Sequence, residues 1–173
     1  PRVSELLARV AESRYFSKLD ANSGFWQMRM NPESKLLTTF ITPWGRYCFK
    51  KMPFGISSAP EVFQRTMEKI LQGLDGVICL MDDILIFAKD EATHWERVRK
   101  VLQRCTNAGL TLRKDKCQFA TTSVKFQGHV VSERVVESDP DKVKAICDMQ
   151  PPRNTQEVRR FIGMVNYLSE FSG

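Results

Sequence analysis

The sequence lacks the histidine and cysteine patterns of common metal and disulfide sites. It has two histidines, His94 and His129, which are too few and too far apart in the chain to suggest a histidine-based metal site. Its five cysteines form an odd set without a Cys-x-x-Cys pair, which argues against a zinc site and a disulfide framework. We therefore expect reduced cysteines in the core of an intracellular protein.

Long apolar segments are also missing. No uninterrupted apolar run is long enough to cross a membrane, and the chain does not open on a positively charged and then apolar leader. We expect no membrane partner. The formal net charge of +6 is compatible with a polyanionic partner but does not identify one. With 173 residues, 42% of them hydrophobic, the chain can bury the core of one domain, or of one domain and part of another.

Two adjacent aspartates, Asp82 and Asp83, interrupt the longest apolar run, Val77–Phe87. The apolar residues on both sides predict two buried strands, joined by a tight turn at Met81, Asp82 and Asp83. Two carboxylates a few ångströms apart repel each other. Protonation, full solvation or a divalent cation would each relieve that repulsion. This segment alone is therefore compatible with an ordinary solvated turn and with a metal site.

Hydrophobic periodicity and capping residues predict helices and strands along the rest of the chain. The expected helices are Val3–Glu12, a helix capped by the Ser58 and Glu61 pair and ending near Gly73, a helix capped by Thr93 and Glu96 and ending at Gly109, and Asp141–Met149 and Gln156–Phe171. The expected strands are Tyr15–Leu19, Phe25–Met30, a hairpin of Thr38–Thr42 with Arg46–Met52, Leu110–Leu112 and Val124–Val131. This order predicts an α+β domain with a mainly antiparallel sheet.

A third carboxylate, Asp20, ends the strand Tyr15–Leu19 and precedes a turn of small residues. If that strand lies beside the Asp82–Asp83 hairpin, three carboxylates converge at one end of a sheet. Magnesium prefers such oxygen ligands, and a pair of metal ions roughly 3.5–4 Å apart is a common device for phosphoryl transfer. The sequence by itself does not show that the three residues meet.

Short blocks spread along the chain make the pattern specific. They are Tyr15–Asp20, Ser23–Phe25, Met52–Gly55, Ala59-Pro60, Phe63-Gln64, Met81–Ile84, Lys116-Cys117, Gly128-His129, and Asp139-Pro140 with Lys142. In this order and at this spacing they resemble the reverse transcriptase of gypsy-type long-terminal-repeat retrotransposons, over essentially the whole chain.

The resemblance implies a polymerase fold with a palm in two parts, 1–27 and 58–136, a fingers portion at 28–57 and the start of a thumb at 137–173. It implies an RNA-directed DNA polymerase that adds deoxynucleotides to a primer 3′-OH, with two Mg²⁺ ions or Mn²⁺ as a substitute. The implied partners are an RNA or DNA template with its primer, deoxynucleoside triphosphates, and the ribonuclease H and integrase segments of a parent polyprotein. The implied location is a cytoplasmic retrotransposon particle with access to the nucleus.

The resemblance also implies the residues of the catalytic centre. Asp20, Asp82 and Asp83 match the metal-binding aspartates, with Asp83 in a supporting position. The carbonyl of Ala21 is expected to be an additional ligand. Lys116 matches the lysine that protonates the departing pyrophosphate, although a lone lysine is usually an ordinary surface charge.

Further matches imply contacts to the nucleotide and the primer. Phe25 matches the aromatic gate that collides with a ribose 2′-OH, and its alternative interpretation is a core aromatic at the start of a strand. Phe54 and Gly55 match the loop that contacts the nucleotide and the template base. Gln64 lies where the family faces template and nucleotide, or is an ordinary exposed helix glutamine. The primer-gripping hairpin is matched by Phe126, Gln127, Gly128 and His129.

The chain also departs from the family pattern. Leu80 stands where the family usually has tyrosine, and Gln127 stands where leucine is common. The phosphate-binding strands of the fingers and a ribonuclease H segment are not found in the sequence, so the resemblance implies a piece of a polyprotein or a truncated copy. Two alternatives stay open. One is an inactive retroelement remnant that keeps the fold and weak nucleic-acid binding. The other is an RNA-binding module, disfavoured because its sheet would carry exposed aromatics rather than acidic residues.

Overall fold

A computed structural model describes residue 10, residues 13–133 and residues 136–169. The helix expected over Val3–Glu12 lies outside the described residues, apart from Val10. The strands are β1 (Tyr15–Asp20), β2 (Phe40–Thr42), β3 (Gly45–Tyr47), β4 (Val77–Leu80), β5 (Asp83–Ala88), β6 (Gln118–Thr121), β7 (Ser123–Phe126), β8 (His129–Ser132) and β9 (Val136–Ser138). The helices are α1 (Gly24–Gln27), α2 (Pro32–Leu36), α3 (Ala59–Leu71), α4 (Glu91–Asn107), α5 (Pro140–Cys147) and α6 (Thr155–Ser169).

Antiparallel pairing dominates this architecture, and the predicted α+β class is confirmed. The main sheet has the strand order β4-β5-β1-β6, while β7, β8 and β9 form a second sheet and β2 and β3 form a separate hairpin. None of the described helices is both long and apolar enough to cross a membrane.

Strand β1 packs on both of its faces, since its side chains alternate between them and both faces carry buried residues. Leu19 belongs to a core cluster with Phe63 of α3 and Val98 of α4. Phe16 points to the opposite face, into a cluster with Phe126 from the second sheet. The main sheet therefore lies between two helices on one side and the β7–β9 sheet on the other.

A buried polar link joins β1 to α4. Ser17 Oγ lies 2.7 Å from His94 Nε2, and both residues are fully buried. Ser17 Oγ also accepts a hydrogen bond from the Ala120 N–H at 3.0 Å. His94 Nδ1 has no hydrogen-bond partner among the described residues. Burial, and secondarily Arg97, lowers the pKa of His94 from its ordinary value of 6.5, with Glu91 acting in the other direction.

Acidification is expected to destabilise the protein through His94. Because its pKa is lower in the folded chain than in the unfolded chain, the unfolded chain binds the proton more tightly. The free energy of unfolding should therefore fall as the pH drops below about 7, and this contribution should level off below the folded pKa. Urea unfolding at several values between about pH 7 and pH 5 measures this pH dependence of the free energy of unfolding. A His94→Gln variant should show a shallower pH dependence, whatever its absolute stability, and an unchanged slope would contradict the assignment.

The structure corrects the first half of the strand predicted over Phe25–Met30, whereas Met28 is extended and Arg29 forms an antiparallel bridge with Lys51. Residues Gly24–Gln27 form the helical turn α1, in which the Trp26 N–H donates to Ser23 O and the Met28 N–H donates to Phe25 O. Ser23 has a φ of 50° and redirects the chain after β1. Phe25 can then pack against α3 through Phe63, at 5.4 Å between ring centroids.

The residues that cap the N-termini of α3 and α4 also differ from those predicted. Ser58 precedes α3 but its side chain makes no capping hydrogen bond, so the predicted capping box does not form. Helix α4 begins at Glu91 rather than at Thr93, because the Asp90 carboxylate accepts from the Thr93 N–H and is the actual N-cap.

The strand predictions were partly correct. The hairpin predicted around Pro43–Gly45 forms, over the shorter strands β2 and β3. The segment predicted as Val124–Val131 is two strands, β7 and β8, joined by a turn at Gln127 and Gly128. Leu110–Leu112 is not a strand and makes a single bridge from Leu112 to Ala21. Strand β6, which pairs with β1, was not predicted.

Candidate active site at the ends of the central strands

The turn between β4 and β5 presents Asp82 at the end of the main sheet. Met81 takes a left-handed conformation with a φ of 54°, and Asp83 is already the first residue of β5 rather than part of the turn. The Ala21 N–H donates to Asp82 O at 2.8 Å. This bond ties the end of β1 to the turn, so the two segments adjoin.

The register of β1 and β5 places Asp20 directly opposite Asp83. Lys18 lies on the same face, two residues before Asp20, and its ammonium is 3.1 Å from Asp83 Oδ2. The Lys116 ammonium is 3.7 Å from Asp20 Oδ2. The two carboxylates that face each other across the strands are therefore each accompanied by a lysine, which offsets the repulsion between like charges.

Asp82 is directed differently from the other two aspartates. A Cβ placed on Gly24 would come within 2.3 Å of Asp82 Oδ1, so this oxygen lies against the glycine. Although Asp82 as a residue is exposed, partial burial of its carboxyl raises the pKa, as do the neighbouring charges of Asp20 and Asp83, while Lys116 lowers it. The three carboxylates are therefore close enough to interact, as the sequence analysis required of them.

The chemistry of these donors fits a magnesium ion, which prefers carboxylate and carbonyl oxygens. Their arrangement is not a preformed coordination shell: within the described part of the chain, no three Asp, Glu, His or Cys side chains are grouped in a way that could hold a metal. The lysine ammonium groups beside Asp20 and Asp83 show that these two carboxylates accept cationic partners at this end of the sheet.

A cavity of about 450 Å³ opens on the face of the sheet that carries Asp20 and Asp83. It is lined by three lysines, three aspartates and a glutamine, namely Lys18, Lys116, Lys125, Asp20, Asp83, Asp115 and Gln118. Lys116 reaches it from the short 3₁₀ turn Lys114–Lys116. The predicted catalytic lysine and two of the predicted metal ligands thus border one polar cavity.

An aromatic group lies beside the carboxylates. The ring of Phe25 is 5.5 Å from that of Phe54 and 5.4 Å from that of Phe63. Phe63 is buried, whereas Phe54 is 67% exposed, and Gly55 follows with a φ of 89° that favours glycine. Phe25 therefore contacts the core on one side and an exposed aromatic loop on the other, which is compatible with both interpretations given above.

The predicted primer-gripping residues are divided between the core and the site. Phe126 and His129 are fully buried, so their side chains are enclosed by the protein. Gln127 and Gly128 form the turn between β7 and β8, with φ values of 49° and 81°. The Gln127 amide donates to the carboxylate of Asp83 at 3.2 Å. The hairpin thus reaches the site through its turn.

Gln64 also lies at the site, on the other face of the sheet. Its amide nitrogen donates to Cys79 O at 2.9 Å and to Glu68 at 3.0 Å, and its amide oxygen accepts from the Met81 N–H at 2.7 Å. The side chain predicted to face template and nucleotide therefore contacts the turn that carries Asp82.

Two residues of the site were missed by the sequence analysis. Lys18 pairs with Asp83, and its position two residues before Asp20 would have placed both on one face of the strand. Gly24 provides the space for Asp82, and its sequence signal was the run of small residues after Asp20.

Known proteins are similar in sequence to this chain over nearly its whole length. A family model described as "Reverse transcriptase (RNA-dependent DNA polymerase)" matches residues 2–131. The "Retrovirus-related Pol polyprotein from transposon opus" of Drosophila melanogaster is 38% identical over 99% of this chain and 17% of that protein. The "Transposon Tf2-3 polyprotein" of Schizosaccharomyces pombe is 36% identical over 99% of this chain and 13% of that protein. The chain spans less than a fifth of the length of these relatives.

Solved structures share the fold. "Structure of the foamy viral protease-reverse transcriptase dRH in complex with ds DNA" has a TM-score of 0.87 at 20% identity, over 96% of this chain and 29% of that one. "Structure of the foamy viral protease-reverse transcriptase in complex with RNA/DNA hybrid" has a TM-score of 0.82 at 21% identity, over 93% and 22%. At this level of identity the similarity establishes the fold alone.

Proposed function

The chain belongs to the reverse transcriptase family, and we propose that it is the catalytic core of an RNA-directed DNA polymerase from a gypsy-type retrotransposon. It adds deoxynucleotides to a primer 3′-OH on an RNA or DNA template. The observation that carries the proposal is the β1–β5 register, which sets Asp20 opposite Asp83 while the Ala21–Asp82 hydrogen bond holds the turn alongside.

In this proposal Asp20, Asp82, Asp83 and the carbonyl of Ala21 hold two Mg²⁺ ions, or Mn²⁺ as a substitute. When bound, such ions lower the pKa of the attacking primer hydroxyl and stabilise the leaving pyrophosphate. Lys116 borders the same cavity as Asp20 and donates the proton to the departing pyrophosphate. Lys18 orients the Asp83 carboxylate through their ion pair.

The proposed partners are a primer–template duplex and deoxynucleoside triphosphates. The net charge of +6 supports a polyanionic partner, and the structurally similar foamy viral proteins are described in complex with double-stranded DNA and with an RNA/DNA hybrid. Ribonuclease H and integrase segments of a Pol polyprotein, in a cytoplasmic particle, belong to the same proposal. So does the division into palm (1–27 and 58–136), fingers (28–57) and thumb (137–173).

One observation favours a second candidate function, an inactive remnant that retains the fold and binds nucleic acid weakly. Lysines accompany Asp20 and Asp83, and an ammonium that stays there under all conditions would exclude metal ions. Primer extension with increasing Mg²⁺, measured on the chain alone and within its polyprotein, separates the candidates. A polymerase extends the primer in at least one of these forms, whereas a remnant retains the duplex in a binding assay and extends nothing.

Replacing Phe25 by valine is expected to weaken discrimination against ribonucleotides by at least about tenfold, since the ring that would collide with the 2′-OH is removed. Incorporation of a ribonucleoside and a deoxynucleoside triphosphate is compared for each protein. Phe119→Val is the matched control, because Phe119 is an exposed aromatic on β6 that stacks on Trp95. Unchanged sugar selectivity in Phe25→Val would show that Phe25 packs in the core and does not select the sugar.

A further inference from the structure

Two glutamines hold the turn between β4 and β5. Gln64 projects from α3, which packs on the face of the main sheet that carries Ile84. Its side-chain oxygen accepts from the Met81 N–H at 2.7 Å, and its nitrogen donates to Cys79 O at 2.9 Å. One side chain therefore satisfies a donor and an acceptor of the same turn.

Gln127 reaches the turn from the opposite face of the main sheet, where Leu85 packs in one cluster with Phe126 of β7. Its side-chain nitrogen lies 3.3 Å from Leu80 O and 3.2 Å from Asp83 Oδ2. Together the two glutamines contact residues 79, 80, 81 and 83, which are all the residues of the turn region except Asp82 itself.

The turn needs such support because of its own sequence. Met81 has a φ of 54°, a conformation that glycine or asparagine adopts readily and methionine does not. A turn of this kind relaxes toward other conformations unless its surroundings hold it. Hydrogen bonds from α3 and from the β7–β8 turn provide that restraint, while Asp82 lies at the tip with its Oδ1 against Gly24.

We propose that Gln64 and Gln127 are positioning residues that clamp the turn between β4 and β5 from the two faces of the sheet and so fix the direction of the carboxylates. This inference rests on the proposed polymerase function for its catalytic consequence. It differs from the expectation for Gln64, because a positioning residue acts through the turn and not through the nucleotide. It also gives Gln127 a role that the leucine common in the family would not fill, because a leucine side chain cannot donate to Leu80 O or Asp83.

The test uses three variants of the chain: Gln64→Leu, Gln127→Leu and, as the matched control, Gln103→Leu. Gln103 is a helix glutamine on an exposed surface, and among the described residues its hydrogen bond is to Asn107 within α4. The first readout is hydrogen exchange of the Met81 amide by NMR, which needs no activity. The second is single-nucleotide incorporation with Mg²⁺, analysed separately for kcat and for KM of the nucleotide.

Gln64→Leu is expected to speed exchange of the Met81 amide by about tenfold or more, since its acceptor is lost. Both Gln64→Leu and Gln127→Leu should lower kcat by roughly 10- to 100-fold, the range found when partners that orient metal ligands are removed, with KM nearly unchanged. The double variant should lose less than the product of the single losses, because both residues act on one turn. Gln103→Leu should change neither readout.

Three results would overturn the inference. Unchanged exchange of the Met81 amide in Gln64→Leu would show that the turn does not depend on the glutamine. A raised KM with unaltered kcat would indicate direct nucleotide contact. Single losses that multiply in the double variant would exclude a shared clamp. If the unaltered chain extends no primer either alone or within its polyprotein, the proposed function fails, while amide exchange still decides whether Gln64 holds the turn.

Discussion

Asp82→Asn is expected to abolish Mg²⁺-dependent primer extension, with a loss of at least about a thousandfold, or ~4 kcal/mol of activation free energy. The amide keeps the size of the side chain but removes the negative charge and the hard oxygen pair that a divalent cation requires. The fold should persist, because Asp82 projects from a turn and ionisation of its partly buried carboxyl is opposed by Asp20 and Asp83. Nucleotide incorporation rates measure the loss of activity, and circular dichroism of the same preparations tests whether the fold persists.

The matched control for this prediction is Asp115→Asn. Asp115 borders the same cavity as Asp20 and Asp83, but it is exposed and pairs with Arg113. The control should retain extension within a few-fold. A comparable loss in both variants would mean that local negative charge, and not a metal ligand, is what was removed. Undiminished extension by Asp82→Asn would reject the ligand assignment outright.

Gly24→Ala is expected to destabilise the protein by about 1–3 kcal/mol, the usual cost of forcing an extra carbon into a filled site. The added Cβ would lie 2.3 Å from Asp82 Oδ1 and 2.4 Å from the ring of Phe63. Since Phe63 is fully enclosed by the core, Asp82 is the group that moves more easily, and primer extension should fall as well. Urea unfolding gives the free-energy change and incorporation assays give the catalytic loss.

Gly163→Ala is the matched control for Gly24→Ala, and we expect it to stabilise the protein rather than destabilise it. Gly163 lies within α6, and a Cβ placed on it meets nothing within 4 Å. Alanine there should stabilise the protein by roughly 0.5–1 kcal/mol, because it restricts the unfolded chain and favours the helix. A Gly24→Ala protein that unfolds at the same urea concentration as the parent would show that Asp82 and Phe63 can shift at no cost.

Local pattern was enough to predict the elements that carry the site. The apolar run around Asp82 and Asp83 predicted the β4–β5 hairpin, and the run before Asp20 predicted β1, because each strand is long enough to show its burial pattern. The meeting of Asp20 with Asp83 could not be predicted in the same way. It depends on the register of two strands separated by more than sixty residues, about which neither strand carries local information.

The remaining differences have equally specific causes. Asp90 and Thr93 are both good helix-capping residues, and only the formed hydrogen bond between them shows which one caps α4. The sequence pattern around Phe25 is typical of an extended strand, but packing of Phe25 on Phe63 stabilises a helical turn instead. The partners of Gln64 at the β4–β5 hairpin, Cys79 and Met81, lie fifteen and seventeen residues away in the chain. A glutamine on a helix looks the same in sequence whether it faces solvent or a distant turn.

The central position of β1 has a consequence for how the chain folds. Tyr15 pairs with Ala88 and Phe16 pairs with Thr121, so β1 is synthesised well before its partner strands leave the ribosome. Until Thr121 has emerged, β1 lacks its neighbour β6 and exposes an apolar strand edge that favours aggregation. Non-local pairing of this kind also slows folding. The central position of β1, which brings Asp20 to Asp83, therefore delays completion of the main sheet until β6 has been synthesised.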